Sequence, residues 1–188
     1  INRDPEEALD MRNSESMKLA LNGQMVALDN LEGRPVLKSV GGRSLYGGGG
    51  ITPDISVMLD TLSTSEEEAV QRIFRSAGSF ATGLFNYAVK YVQNTPSTAN
   101  KIQLGNSDLG LFYQGLLLES EAMLERSDFE SGYRFIRYQL EREIALHAWG
   151  PEGAFEQTWQ NDTQVMRALE VLEGKKSPEE LLEVAIGN

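Results

Sequence analysis

Between Glu66 and Gln93 apolar residues return at steps of three and four: Val70, Ile73, Phe74, Ala77, Ala81, Leu84, Ala88 and Tyr91. That spacing lays one stripe along an α-helix and predicts a long amphipathic helix over the stretch. Three overlapping capping boxes, Ser63 with Glu66, Thr64 with Glu67 and Ser65 with Glu68, fix its start to within a turn. A polar connection, NTPSTANKIQLGNS, leads to a second apolar run, DLGLFYQGLLLESEAM, which reads as helical despite Gly110 and Gly115. Phe129, Tyr133, Ile136, Leu140, Ile144 and Ala148 run down one side of a third helix, which Ser127 or Asp128 caps and Gly150 ends. Pro151 opens a short helix through Trp159, and Asp162 opens another with Val165, Met166, Leu169 and Leu172 facing inward. Ser177, Pro178 and Glu180 then supply an N-cap, an N1 proline and an N3 carboxylate for a last helix. Beyond residue 62 the pattern is that of a helical bundle.

Ahead of residue 62 the pattern changes. Pro5, Glu6 and Glu7 resemble a helix first turn, and Met17, Leu21 and Met25 recur at four-residue spacing, so a helix is expected over part of residues 5–28. Gly23 weakens it and Gly33 closes the segment. The next stretch, RPVLKSVGGRSLY, predicts strands at about 35–40 and 43–46 around a Gly41-Gly42 hairpin turn. Two strands alone are marginal in water, so this hairpin is expected to complete a larger sheet or to pack on the helices. The fold class is therefore mainly α, a helical bundle with a short N-terminal β-hairpin arm.

The 188 residues suffice for a sizeable core, and 40% hydrophobic with 24% charged residues is a globular composition. With 28 Asp and Glu against 17 Lys and Arg, the net charge of -11 sets up a field that repels a phosphate backbone, which argues against nucleic acid as a partner. No apolar run is long enough to span a membrane. A chain without Cys has neither disulfide nor thiol nucleophile, and a single His makes a structural zinc site a poor reading, so no metal or cofactor is expected. The chain begins at Ile1, which reads as a fragment or a mature product of something longer.

Each candidate for chemistry meets a simpler account. Gly47-Gly48-Gly49-Gly50 lacks the Lys and the immediate helix of a phosphate-binding loop; Ile51, Thr52, Pro53 and Asp54 follow it instead. Glycines there permit tight turns or close chain approach. Arg43 and Asp54 flank them and read as a pair that locks the turn. His147, near a helix end, is expected to interact favourably with the helix dipole or to bond a terminal carbonyl. Glu66, Glu67 and Glu68, like Glu141 and Glu143, read as solvated acids, since no Glu-x-x-His pattern accompanies them. The aromatic residues at 74, 80, 85, 87, 91, 112, 113, 129, 133, 135 and 138 read as core, with a groove for a partner segment as the alternative.

The stretch GGRSLYGGGGITPDI resembles the segment that follows the catalytic core in carboxyl-terminal processing peptidases, the tail-specific serine proteases. One branch of that family carries a Gly-Arg turn, then Val-Tyr-Gly-Gly-Gly-Gly-Ile and Pro-Asp-Ile or Pro-Asp-Val. Gly42, Arg43, Tyr46, Gly47, Gly48, Gly49, Gly50, Ile51, Pro53, Asp54 and Ile55 match it. A looser likeness continues through Phe80-Ala81, Tyr87 to Tyr91, Glu141 to Gly150 and Asp162 to Leu169, so the resemblance covers residues 34–173. It implies three parts: a variable insertion at 1–33, the hairpin and Gly-rich exit segment of a protease core at 34–60, and a C-terminal helical domain at 61–188. The hairpin arm would then complete the sheet of a missing protease core.

The family hydrolyses peptide bonds of unfolded, tagged or precursor proteins in the periplasm or cell envelope, using a serine activated by a lysine and no cofactor. In the family both catalytic groups, and usually a PDZ domain, lie upstream of the glycine segment. The resemblance therefore implies a region that is inactive alone, with no catalytic residue to carry over. Its implied partners are a protein or peptide substrate held through the parent enzyme, the missing core, or a second copy. Ser76 and Lys101 imitate the spacing of the dyad, but Ser76 falls in a helical stretch after the Pro-Asp motif instead of before it. Two other readings stand beside this one: an independent helical module that binds a protein or peptide, and a complete enzyme with an unrecognised site.

Overall fold

The computed structural model describes residues 17–27, 35–38, 44–47, 55, 57–76, 80–95, 101–119, 124–175, 177–178 and 180–181. Two separate antiparallel pairs come first: β1 (Met17–Leu19) with β2 (Met25–Ala27), and β3 (Val36–Lys38) with β4 (Ser44–Tyr46). Six α-helices follow among the described residues: α1 (Thr64–Ser76), α2 (Phe80–Asn94), α3 (Asn106–Glu119), α4 (Arg126–Ser131), α5 (Tyr133–Thr158) and, after a short 3-10 turn, α6 (Thr163–Leu172).

The expected helix around Met17, Leu21 and Met25 is instead the β1–β2 hairpin. Asn22-Gly23 is the cause. Gly23 adopts φ 87, where a side chain would be strained, and the Asn22 carboxamide oxygen accepts a hydrogen bond from Gln24 N at 3.0 Å. Leu21 is buried, whereas Met25, which the helical spacing placed on the same face, is exposed. The rest of that expected helix lies outside the described residues, as does the Gly41-Gly42 turn. Strands β3 and β4 fall within the expected spans, with Leu37 opposite Leu45.

The long helix expected over 66–93 is two helices. Phe74 and Phe80 meet edge to face with ring centroids 5.0 Å apart. Phe74 belongs to the last turn of α1 and Phe80 is the first residue of α2, so this contact joins the two helices. Phe74 and Ala81, placed on the inward stripe by spacing, are exposed. Of the three possible capping boxes, Ser63 with Glu66 forms: Ser63 N donates to Glu66 Oε2 at 2.8 Å, and Glu66 N donates to Ser63 Oγ at 3.3 Å.

Neither Ser127 nor Asp128 caps the third predicted helix; both lie inside the first turn of α4, whose N-cap is Glu125 without a side-chain cap bond. The expected stop at Gly150 does occur within α5. Gly150 takes φ 77 and ψ -169, a conformation open to glycine, and the ring of Pro151 disfavours helical backbone in the residue before it. Asp162 caps α6 as expected, accepting from Gln164 N and Val165 N. Helix α6 nevertheless buries none of its residues, and Leu169 and Leu172, expected to face inward, are exposed. Ser177 Oγ accepts from Glu180 N at 3.4 Å, the bond expected of its cap.

One core unites α1 to α5. Val70, Ile73, Phe80, Leu109, Phe112, Leu116, Phe129, Ile136, Leu140 and Ile144 are buried together, with Leu21 and Leu62 closing the N-terminal side. Phe112 links edge to face with Phe80 and lies 6.0 Å from Phe129, so α2, α3 and α4 share one aromatic seam.

Candidate functional site

The segment after the glycine motif, residues 57–62, enters the helical domain clamped on both sides, with a single β-bridge from Thr61 to Ala20. Leu62 N donates to Leu19 O and Leu21 N donates to Asp60 O, each at 2.8 Å, so the segment pairs with the β1 side of the first hairpin. On its other side Thr163 Oγ1 donates to Met58 O at 2.6 Å and Gln164 Nε2 to Val57 O at 3.1 Å, both from the first turn of α6. Gln139 Nε2 donates to Leu21 O at 3.0 Å, tying the hairpin turn to α5.

Arg134 of α5 holds this junction electrostatically. Its Nη1 donates to both Asp60 oxygens at 2.8 Å, its Nε to Glu66 Oε1 at 2.8 Å, and its Nη2 to Thr61 O at 3.1 Å. A planar guanidinium with five donors suits a task that joins two carboxylates and a carbonyl. The Arg134 hydrogen bond, helped by the Ser63 amide and against the opposing pull of burial, lowers the Glu66 carboxyl to about 2. The Glu66 and Asp60 bonds in turn raise Arg134 above its usual range.

A second polar cluster is internal. Residues 102–104 run extended against α5, with Ile102 and Leu104 buried and Gln103 exposed. Gln157 Oε1 accepts from Ile102 N at 3.0 Å while Gln157 Nε2 donates to Ile102 O at 2.8 Å, and Glu141 Oε1 accepts from Leu104 N at 3.0 Å. Buried amides of an extended segment need such partners, and Gln157 is the one polar residue buried among those described. Glu141 is thus an internal acceptor, which corrects its reading as a solvated acid.

The third feature is a groove of about 520 Å³ between α2 and α3, which run antiparallel. Tyr87, Tyr91, Leu111 and Phe112 give it apolar walls, and Lys90, Asn86, Asn94 and Gln114 line it with polar groups. Tyr87 Oη donates to Asp108 O at 3.2 Å, and burial, with the Asp108 carboxylate adding to it, pushes its phenol up to about 12.

Of the motif residues Gly42, Arg43, Tyr46, Gly47, Gly48, Gly49, Gly50, Ile51, Pro53 and Asp54, the described residues include only Tyr46, at the end of β4, and Gly47. Gly47 N donates to Pro35 O at 2.8 Å, and a Cβ there would stand 3.1 Å from Pro35 Cγ, a close approach of the two chain segments. The Arg43 and Asp54 pair lies outside the described residues. Lys101 Nζ donates to Gln160 Oε1 at 3.1 Å. His147 does not bond a terminal carbonyl; its Nε2 lies 3.2 Å from Glu143 Oε1, and its ring stands edge to face on Phe85 at 4.9 Å. Among the described residues no cluster of His, Asp and Glu could hold a metal ion, and no helix is long and apolar enough to cross a membrane.

Comparison with family models, with curated proteins and with solved structures returned no match.

Sequence reasoning missed Arg134 and Gln157. Arg134 lies 74 residues from Asp60 and carried no local signal. Gln157 carried a weak one, an amide at helical spacing from Gly153 and Ala154 on a face otherwise made of small residues.

Proposed function

We propose that the chain is the non-catalytic C-terminal region of a serine endopeptidase of the carboxyl-terminal processing type, acting on unfolded or tagged proteins in the periplasm or cell envelope. The observation that carries this reading is the unclosed β3–β4 hairpin. Val36 and Leu37 are 55% and 61% exposed, and no backbone hydrogen bond among the described residues joins either strand to another element. Such a hairpin is marginal alone and gains stability by adding to the edge of a sheet. It sits in sequence directly before the glycine motif that resembles the peptidase segment. The clamped segment 57–62 supports a bracing role, because a rigid junction transmits the position of one part to the other.

The coding sequence upstream of Ile1 tests the proposal. A serine and a lysine in the same reading frame, followed by this chain, are the expected result; a reading frame without them overturns it. The isolated chain is expected to leave an unfolded protein uncleaved, and turnover abolished by Ser76→Ala would point to the third reading, a complete enzyme.

A second reading, an independent peptide-binding module, is favoured by the α2–α3 groove, whose aromatic and amide lining suits an apolar segment. Saturable binding of apolar peptides by the chain, weakened by Tyr91→Ala, would support it.

A further inference from the structure

Helix α3 carries an apolar face that no described element covers. Leu111 and Leu118 are 60% and 89% exposed, two helical turns apart, while Leu109, Phe112 and Leu116 of the same helix fill the core. Gln114 and Gly115 stand between the two leucines on the exposed face. A Cβ on Gly115 would meet nothing within 4 Å, so the backbone there is open to close approach by another helix. The set is symmetric about its centre: laid antiparallel on itself, Leu111 falls on Leu118 and Gln114 on Gly115. A two-fold contact between identical chains requires this self-complementarity, in which residue i meets j and j meets i.

We infer that two copies of this chain associate through α3, the helices crossing antiparallel at Gln114 and Gly115, each Leu118 packing against the other copy's Leu111 at the mouth of the α2–α3 groove. The charge on this face suits the contact, since the groove lining carries one cation and one carboxylate. At a net charge of -11 the copies repel one another over most of their surfaces. Asp108 is the one carboxylate lining the groove, and it accepts from Gly105 N at 2.8 Å. Lys90, the one cation there, has no ion-pair partner among the described residues. Antiparallel pairing brings the negative C-terminal end of one α3 toward the half of the other copy's groove that holds Lys90, beside Tyr87 and Asp108. The inference stands independently of the peptidase reading.

Sedimentation equilibrium of the chain over a wide concentration range gives the first test. The expected mass approaches twice the chain's 20.8 kDa, and it does so more readily as salt screens the mutual repulsion. Leu118→Lys is expected to restore the single-chain mass with unchanged helical circular dichroism, since Leu118 contributes little to the core. The chain has no cysteine, so one introduced thiol reports on one position. Gln114→Cys is expected to form a covalent dimer on oxidation and Ser107→Cys none. The crossing separates the two copies of position 107 by about 22 Å, beyond the ~7 Å between Cα atoms that a disulfide spans. A single-chain mass at every concentration overturns the inference. So does a dimer that survives Leu118→Lys, one that fails to crosslink through Gln114→Cys, or one that crosslinks through Ser107→Cys.

Discussion

Among the described residues are two hairpins of equal strand length whose surroundings differ. In the first, Ala20 and Leu21 are buried, and backbone bonds to Asp60 and Leu62 together with the Gln139 carboxamide tie it to the helical domain. In the second, every residue of β3 is exposed, and the backbone bonds described run only between its own two strands. Local strand pairing is the same in both. The difference teaches that a hairpin becomes part of a core through what its apolar side chains and outer backbone edges meet, which among the described residues only the first has.

The strongest way to break the comparison is to remove the contact that seals the first hairpin. Leu62, 1% exposed, bonds the hairpin through its backbone and fills the core beside it. Leu62→Ala is expected to cost about 2–5 kcal/mol, from lost burial and a residual cavity, as read by urea denaturation. A loss under about 1 kcal/mol would mean that the junction is not part of the cooperative core.

A smaller effect is expected at Arg134. Its side chain is 39% exposed, so solvent screening holds the cost of Arg134→Met to about 1–2 kcal/mol despite its several carboxylate bonds. The pH dependence carries more information. Glu66 titrates at about 2 in the folded chain against 4.5 ordinarily, so its contribution is complete above pH 4.5 and is lost as pH falls toward 2. Denaturation midpoints followed over that window should fall for the parent chain and fall less steeply for Arg134→Met. Equal slopes would show that the pair does not form in solution.

The smallest effect sharpens the contrast from the other side. Leu37→Ala is expected to change the stability of the isolated chain by no more than about 0.5 kcal/mol, as for other exposed positions. A cost comparable to that of Leu62→Ala would show that β3 already has its packing partner within this chain.

Much of the helical part was legible in the sequence. The helical character of the stretches that form α2, α3 and α5, the Asp162 cap, the stop at Gly150 and the Ser177 cap are local matters of side-chain period, hydrogen-bonding reach and backbone freedom, and the structure has each of them, although Phe74 and Ala81 of the expected stripe are exposed. Where reading failed, the deciding partner was distant. Met17, Leu21 and Met25 fit a helical period, yet the turn-forming Asn22-Gly23 and the backbone of residues 60–62 make the segment a hairpin. Val165, Met166, Leu169 and Leu172 are amphipathic as a set, but no described element lies over the end of α6 to bury the leucines.

By itself, then, the sequence determined that the chain beyond residue 62 is mainly helical, where the first helix begins, the interruption at Gly150, the Asp162 cap, and which glycine-rich segment sets the chain's resemblance, because all of these depend on residues within a turn or two of one another. Only the tertiary structure decided that Arg134 would join Asp60 to Glu66, that Gln157 and Glu141 would satisfy the backbone of residues 102–104, and that the first hairpin would be sealed against the helices. Those outcomes rest on groups far apart in the chain, and a charge or amide acquires its role only when folding removes it from water and sets a partner within hydrogen-bond reach.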